Sequence, residues 1–222
     1  MGALLRAQVD GNPYIGLFLR ASDKLALLPL GCAQKLSEAA KAISRRELLL
    51  SMDGSPYLGI YIAMNSNGAV VPKIAGEKEV SLLKKEGLNV FVLPDGKFSA
   101  CGNNVACNDH GALVNPDMPH DLAKKIADCL GVPHQMAMLA GYKCAGMACV
   151  ATNKGWAAHN RITEEDAAML ESLFNCKGLN CTVNGGTALV GAGVCANSNG
   201  ALVGMSSSGF ELARVSQALD LV

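Results

Sequence analysis

Residues 10–16 read DGNPYIG and residues 53–59 read DGSPYLG, while 65–71, 108–114 and 197–203 read NSNGAVV, NDHGALV and NSNGALV. A glycine opens each copy, at Gly16, Gly59, Gly102, Gly146 and Gly191, with separations of 43, 43, 44 and 45 residues. Nine residues after the last four come Gly68, Gly111, Gly155 and Gly200, with Leu25 in that slot of the first copy. Five like units of this period point to a ring or solenoid, because no unit of this size buries its apolar face alone.

Each unit reads alike. A short apolar run follows the opening glycine, such as Ile60–Ala63 or Met147–Val150, and has the length of a strand. A tight NxxG turn comes next (Asn65 to Gly68, Asn108 to Gly111, Asn197 to Gly200), where Asn caps its own backbone and Gly accepts positive φ. A second strand returns, as in Ala69-Val70-Val71. Helical spacing follows in Leu36, Ala39, Ala40, Ile43 and in Leu122, Ile126, Leu130. Thr163 with Asp166 reads as an N-cap, so the acidic cluster Glu164-Glu165-Asp166 suits a helix N-terminus rather than general-base chemistry. A third strand, Leu48-Leu49-Leu50 or Val90-Phe91-Val92, closes the unit. The last helix, around Glu211–Leu219, has no strand after it, and the run Leu4–Val9 has no helix before it. The two orphans complete one another if the ring closes, which removes free sheet edges. The expected fold is therefore α/β: a closed five-bladed α/β propeller with pseudo-fivefold symmetry and strand–strand–helix–strand repeats. It forms a single domain over 1–222, with units near 11–52, 53–95, 96–139, 140–184 and 185–222, the last closed by 1–10.

Half of the chain is hydrophobic (50%) and 17% is charged, which supports a sizeable core and excludes disorder. Nineteen basic and 19 acidic residues give zero net charge, so free nucleic acid is a poor sole ligand. No signal peptide, myristoylation pattern or bilayer-length apolar run is present, and nine cysteines without a CxxC pair suit reduced thiols in the cytoplasm. Zinc ligation through Cys176 and Cys181, or Cys144 and Cys149, lacks a partnering His pair, so neither metal nor cofactor is expected. Gly191-Ala192-Gly193-Val194-Cys195-Ala196 fits the GxGxx[G/A] dinucleotide fingerprint, with Glu211 near the ribose-binding distance. Yet Gly191 is the fifth copy of a repeat glycine and leads into the Asn197 turn instead of a helix N-terminus, so nucleotide binding is not expected.

CNDHGALVNPDMP (107–119), VATNKG (150–155) and TVNGGTALVGAGVCANSNGALVG (182–204) closely resemble the translation initiation factor 6 family, the ribosome anti-association factors. The resemblance runs from PYIG near Gly16 to FELARV (210–215) and, with Val222 as the last residue and no polar tail, is to the archaeal type. The sequence departs from the family at Asn115-Pro116 and His159-Asn160, where His-Pro is usual, and at Ser207-Ser208-Gly209-Phe210-Glu211-Leu212, where Thr-Thr-Gly-Pro-Glu-Leu is usual. Without that proline, Ser208 is left to cap the last helix. The resemblance implies the pentein-type fivefold propeller and a non-enzymatic monomer. It also implies binding to the intersubunit face of the large ribosomal subunit, beside a ribosomal protein near the sarcin–ricin loop with limited rRNA contact. Exclusion of the small subunit and a part in large-subunit maturation follow.

Divergence between units suggests contact residues. After the opening glycine, sister units place Leu17, Ile60, Met147 and Ala192, whereas the third places Asn103 and Asn104. The Gly102-Asn103 pair also matches a ribosome-facing position of the family. The turn residues Asn65, Asn108, Asp109 and Asn197 complete the candidates; the three asparagines read mainly as turn chemistry, and Asp109 has no charged counterpart in the sister turns. Trp156 replaces alanines of sister strands and reads as an inter-blade filler, with a contact anchor as the alternative. His110 and His159 read as surface or edge imidazoles, and Arg45-Arg46, Lys84-Lys85 and Lys124-Lys125 as solvated outer faces. Two other readings stay open on the residues. One is a guanidine-modifying pentein enzyme with Cys107, Cys149 or Cys195 as nucleophile and His159 as base. The other is a structural ring for an unrelated protein partner.

Overall fold

The computed structural model describes residues 2–222. Its fifteen strands form five three-stranded sheets. The first blade holds β2 (Arg20–Ala21), β3 (Ala26–Pro29), helix α1 (Gln34–Lys41) and β4 (Glu47–Leu50). The second holds β5 (Ala63–Met64), β6 (Gly68–Val71), α2 (Glu77–Lys85) and β7 (Asn89–Val92). The third holds β8 (Val105–Cys107), β9 (Ala112–Val114), α3 (His120–Leu130) and β10 (His134–Met136). The fourth holds β11 (Cys149–Ala151), β12 (Trp156–His159), α4 (Glu164–Phe174) and β13 (Gly178–Cys181). The fifth holds β14 (Val194–Asn197), β15 (Gly200–Gly204), α5 (Gly209–Ala218) and, as its third strand, β1 (Ala3–Ala7). In every sheet the first strand runs antiparallel to the second and the third runs parallel to it. The orphan strand is accounted for: β1 pairs with β15 from Ala3↔Gly200 to Ala7↔Gly204.

Two expectations need correction. The NxxG glycines Gly68, Gly111 and Gly200 do not take positive φ; glycine is needed there for close approach, since a Cβ would strike Cys129 O at Gly68, Leu173 O at Gly111 and Ala3 O at Gly200. The runs after the opening glycines are not strand throughout. A helical turn comes first, at Ile15–Leu17, Leu58–Tyr61, Cys101–Asn104, Ala145–Ala148 and Val190–Gly193, and the strand starts only afterwards. The cause is the packing of the five glycines. A Cβ on Gly59 would strike the carbonyl of Gly16, one on Gly102 that of Gly59, one on Gly146 that of Gly102, one on Gly191 that of Gly146, and one on Gly16 that of Gly191. The contacts run full circle, so these positions tolerate hydrogen alone and the ring is closed at its centre. Gly191 thus serves backbone approach, and Val190–Gly193 is too short to cradle a pyrophosphate.

The core is distributed over five seams. Leu27 and Leu50 pack with Ile62 and Val71, Ala63 and Val70 with Val105 and Val114, and Ala106 and Leu113 with Cys149 and Trp156. Val150 and Ala157 pack with Val194 and Val203, and Ile15 and Leu28 with Cys195 and Leu202. Every cluster draws on two blades, so no blade holds a core of its own. The caps follow the sequence: Thr163 Oγ1 accepts from Asp166 N at 3.1 Å, and Ser208 Oγ accepts from Glu211 N at 3.2 Å despite the missing proline.

Candidate functional site

Strand direction gives the disc two unlike ends. Second and third strands finish at one end, where the connections to the ring glycines lie; first strands finish at the other, where the NxxG turns and helix C-termini lie. The candidate residues divide between them. Gly102, Asn103 and Asn104 sit at the glycine end, and Asn65, Asn108, Asp109 and Asn197 at the turn end, so they do not form one patch.

At the turn end the three asparagines are buried. Asn108 Oδ1 accepts from His110 N (2.9 Å) and Gly111 N (3.0 Å) of its own turn. Its Nδ2 donates across the seam to Thr152 O and Phe174 O, both at 2.9 Å. Asn65 Nδ2 reaches Asn108 O (3.0 Å) and Leu130 O (2.9 Å), and Asn197 Nδ2 reaches Ser22 O (2.9 Å) and Ile43 O (2.8 Å) in the same way. These residues staple a turn to the next blade and to an open helix C-terminus. Every amide atom is engaged inside the ring, so as contact residues they offer a partner nothing. Asp109 also needs correction, because it has a charged counterpart. Asp23 lies at the same offset, seven residues after its ring glycine, and Asn153 Nδ2 donates to Asp23 (2.8 Å) and to Asp109 (2.7 Å). The other oxygen of each carboxylate accepts a backbone N–H, Ser198 N on Asp23 (2.8 Å) and Ser66 N on Asp109 (2.7 Å). The bridge links blades one, three and four across the turn end of the axis.

At the glycine end Asn104 is buried, donating to Ala100 O (2.9 Å) and accepting from Asn115 Nδ2 (2.7 Å). Asn103 differs: the residue is half-buried, and its Oδ1, itself buried, has no hydrogen-bond partner among the described residues. Around it lies a feature that the sequence did not announce. Eight exposed large hydrophobic side chains sit at this end: Tyr14, Leu30, Tyr57, Ile74, Met138, Tyr142 and Met205 in the connections, and Phe210 in the first turn of α5. The other three of the described chain are Leu5 and Leu49 on outermost strands and the terminal Val222. An apolar rim rich in Tyr and Met has the composition of a protein-binding surface.

Trp156 is buried, with Nε1 donating to Cys176 O at 3.1 Å, so it fills a seam. His159 is buried too: Nδ1 accepts from Arg161 N (3.1 Å) and the ring lies 4.9 Å from that of Tyr142. Burial holds its pKa below the usual imidazole value. Burial pushes the Cys107 and Cys195 thiols up to about 12, and the Cys149 thiol is raised as well, against the direction a nucleophile needs. Among the described residues no group of three or more His, Cys, Asp or Glu is placed to hold a metal, and no helix is long and apolar enough to cross a membrane.

Comparison with known proteins agrees with this architecture. The model of the eIF-6 family matches residues 4–218. The chain is 32% identical over 222 residues to translation initiation factor 6 of Haloquadratum walsbyi, covering 97% of this chain and 96% of that one. It is 32% identical over 223 residues to the Pyrococcus abyssi protein of the same name, covering 98% of each. For the Methanosphaerula palustris protein the identity is 35% over 214 residues, covering 96% of each.

Proposed function

The chain belongs to the eIF-6 family, and on that premise we propose that it binds the large ribosomal subunit at its intersubunit face and blocks the small subunit by occupying its space. The observation that carries the reading is the glycine end, where eight exposed apolar side chains share one end of the disc with the half-buried Asn103. An interface of standard size covers about 800 Å² of each partner, less than a tenth of this protein's 9513 Å² surface. A 23.0 kDa body held there obstructs a bridge without any chemical step. Zero net charge suits a contact made chiefly with ribosomal protein, with limited rRNA. A part in large-subunit maturation, a cytoplasmic site of action and a monomeric state belong to the same reading. The protonated axial thiols count against the Cys-nucleophile alternative.

The test is cosedimentation with separated ribosomal subunits, followed by a subunit-joining assay. Binding to large subunits alone, with loss of joining, is the expected result; binding to neither subunit overturns the proposal. Asn103→Ala should weaken binding about tenfold, for one lost buried hydrogen bond, with an unchanged melting temperature.

A further inference from the structure

A single cation stands on the ring axis. Four residues after the ring glycines come Arg20, Ala63, Ala106, Val150 and Cys195, so the first blade alone supplies a charge at this level. The Arg20 guanidinium crosses to blades two and three. Nε donates to Ile62 O (3.0 Å), and Nη2 to Gly59 O (2.6 Å) and Gly102 O (2.7 Å). Nη1 has no partner among the described residues, and the two ion pairs found there, Arg46–Glu86 and Lys143–Asp117, do not include Arg20.

Beside the guanidinium lies an axial chamber of about 40 Å³, lined by Leu19, Arg20, Met64, Cys107, Cys149 and Cys195 among others, with no carboxylate in its wall. The thiols supply no negative charge either, since burial keeps Cys107 and Cys195 protonated up to about 12. Asp23 and Asp109 face an adjoining, smaller chamber of about 20 Å³ toward the turn end; their four oxygens accept hydrogen bonds from neutral donors, and neither carboxylate pairs with Arg20. The half-buried guanidinium thus has no carboxylate within ion-pair distance, and the three carbonyls on it are neutral dipoles.

We propose that the axial chamber is a halide site in which chloride rests on Nη1 of Arg20. The volume is about three times what one water needs by the same measure, room for a monatomic anion and its attendant waters but not for a six-carbon carboxylate. The Asp23–Asn153–Asp109 bridge spans the axis beyond it at the turn end.

Crystals of the full chain grown in sodium bromide test this by anomalous scattering. The expected result is one bromine peak on the axis beside Arg20. No axial peak, or peaks confined to the outer surface, overturns the proposal and leaves water as the occupant. In solution, replacing about 0.3 M gluconate by chloride at constant ionic strength should raise the wild-type melting temperature about 3 °C relative to Arg20→Met. Equal responses of the two proteins count against the site. If Arg20→Met does not fold, the wild-type bromide crystal decides alone.

Discussion

Replacing Asn108 with alanine removes four hydrogen bonds from a side chain that is 4% exposed: two accepted within its turn and two donated to the next blade. At roughly 1 kcal/mol net for each bond, the loss is about 4 kcal/mol, and more if a carbonyl left behind finds no water. For a chain of this length that corresponds to a melting temperature lowered by about 8–16 °C. The fourth blade supplies a control. Its turn residue Thr152 accepts from Lys154 N (3.2 Å) and Gly155 N (3.1 Å) but makes no side-chain bond across a seam. Asn108→Thr should therefore keep the turn and lose only the staple, costing about 2 kcal/mol. Urea unfolding followed by far-ultraviolet circular dichroism measures both. A loss below about 1 kcal/mol for alanine, or equal losses for the two variants, would refute the staple. Folded Asn108→Thr should also bind large subunits as tightly as the wild type, which separates a structural asparagine from Asn103.

Gly102→Ala puts a methyl against Gly59 O and beside Ile62 O and Arg20 Nη2, so it should cost about 4 kcal/mol or more, whereas Gly209→Ala, with open space around it, should change stability by less than about 0.5 kcal/mol; thermal melts of the pair test the ring packing. Burial alone would raise the Glu211 carboxyl pKa, but hydrogen bonds from Ser208, Gly186, Gly185 and Thr182 outweigh it and hold the pKa below the ordinary value. Its contribution is therefore present above about pH 4.3 and lost as pH falls through the depressed folded value. Glu211→Gln should flatten that part of the acid-unfolding profile, and an unchanged profile would disprove the assignment. Thiol titration with a disulfide reagent near neutral pH should modify the exposed Cys144 first and reach Cys107, Cys149 and Cys195 only on unfolding; early loss of an axial thiol contradicts their assigned state.

The architecture was legible because the period repeats five times and because Leu4–Val9 and the last helix lacked each other's partner. What escaped depends on contacts far along the chain. The turn asparagines showed their Oδ1 role, which is local, but not their Nδ2 role: Asn65 meets Leu130, which no local pattern connects to it. The four-residue runs LGIY and VGAG are too short for periodicity to tell a helical turn from a strand, and backbone crowding at the axis decides between them. Asp23 was readable by its seven-residue offset, yet its turn lacks the NxxG pattern that marked the others. Arg20 resembles any surface arginine until the ring closes around it. The apolar rim is no more legible, since Tyr14 and Leu27 are both ordinary hydrophobic residues and only blade closure covers one and exposes the other.

Gly2 N donates to Leu221 O at 2.8 Å, so the beginning and end of the described chain are neighbours at the turn end. A short linker there would make the backbone circular, and a cut in any hairpin at the opposite end, such as Asp53-Gly54 or Ala140-Gly141, would leave all five sheets whole. Circular permutants of this protein should thus share one shape, because the blade that is synthesised first is an accident of numbering. Labels or tethers attached at the ends of the described chain project away from the face that carries Asn103.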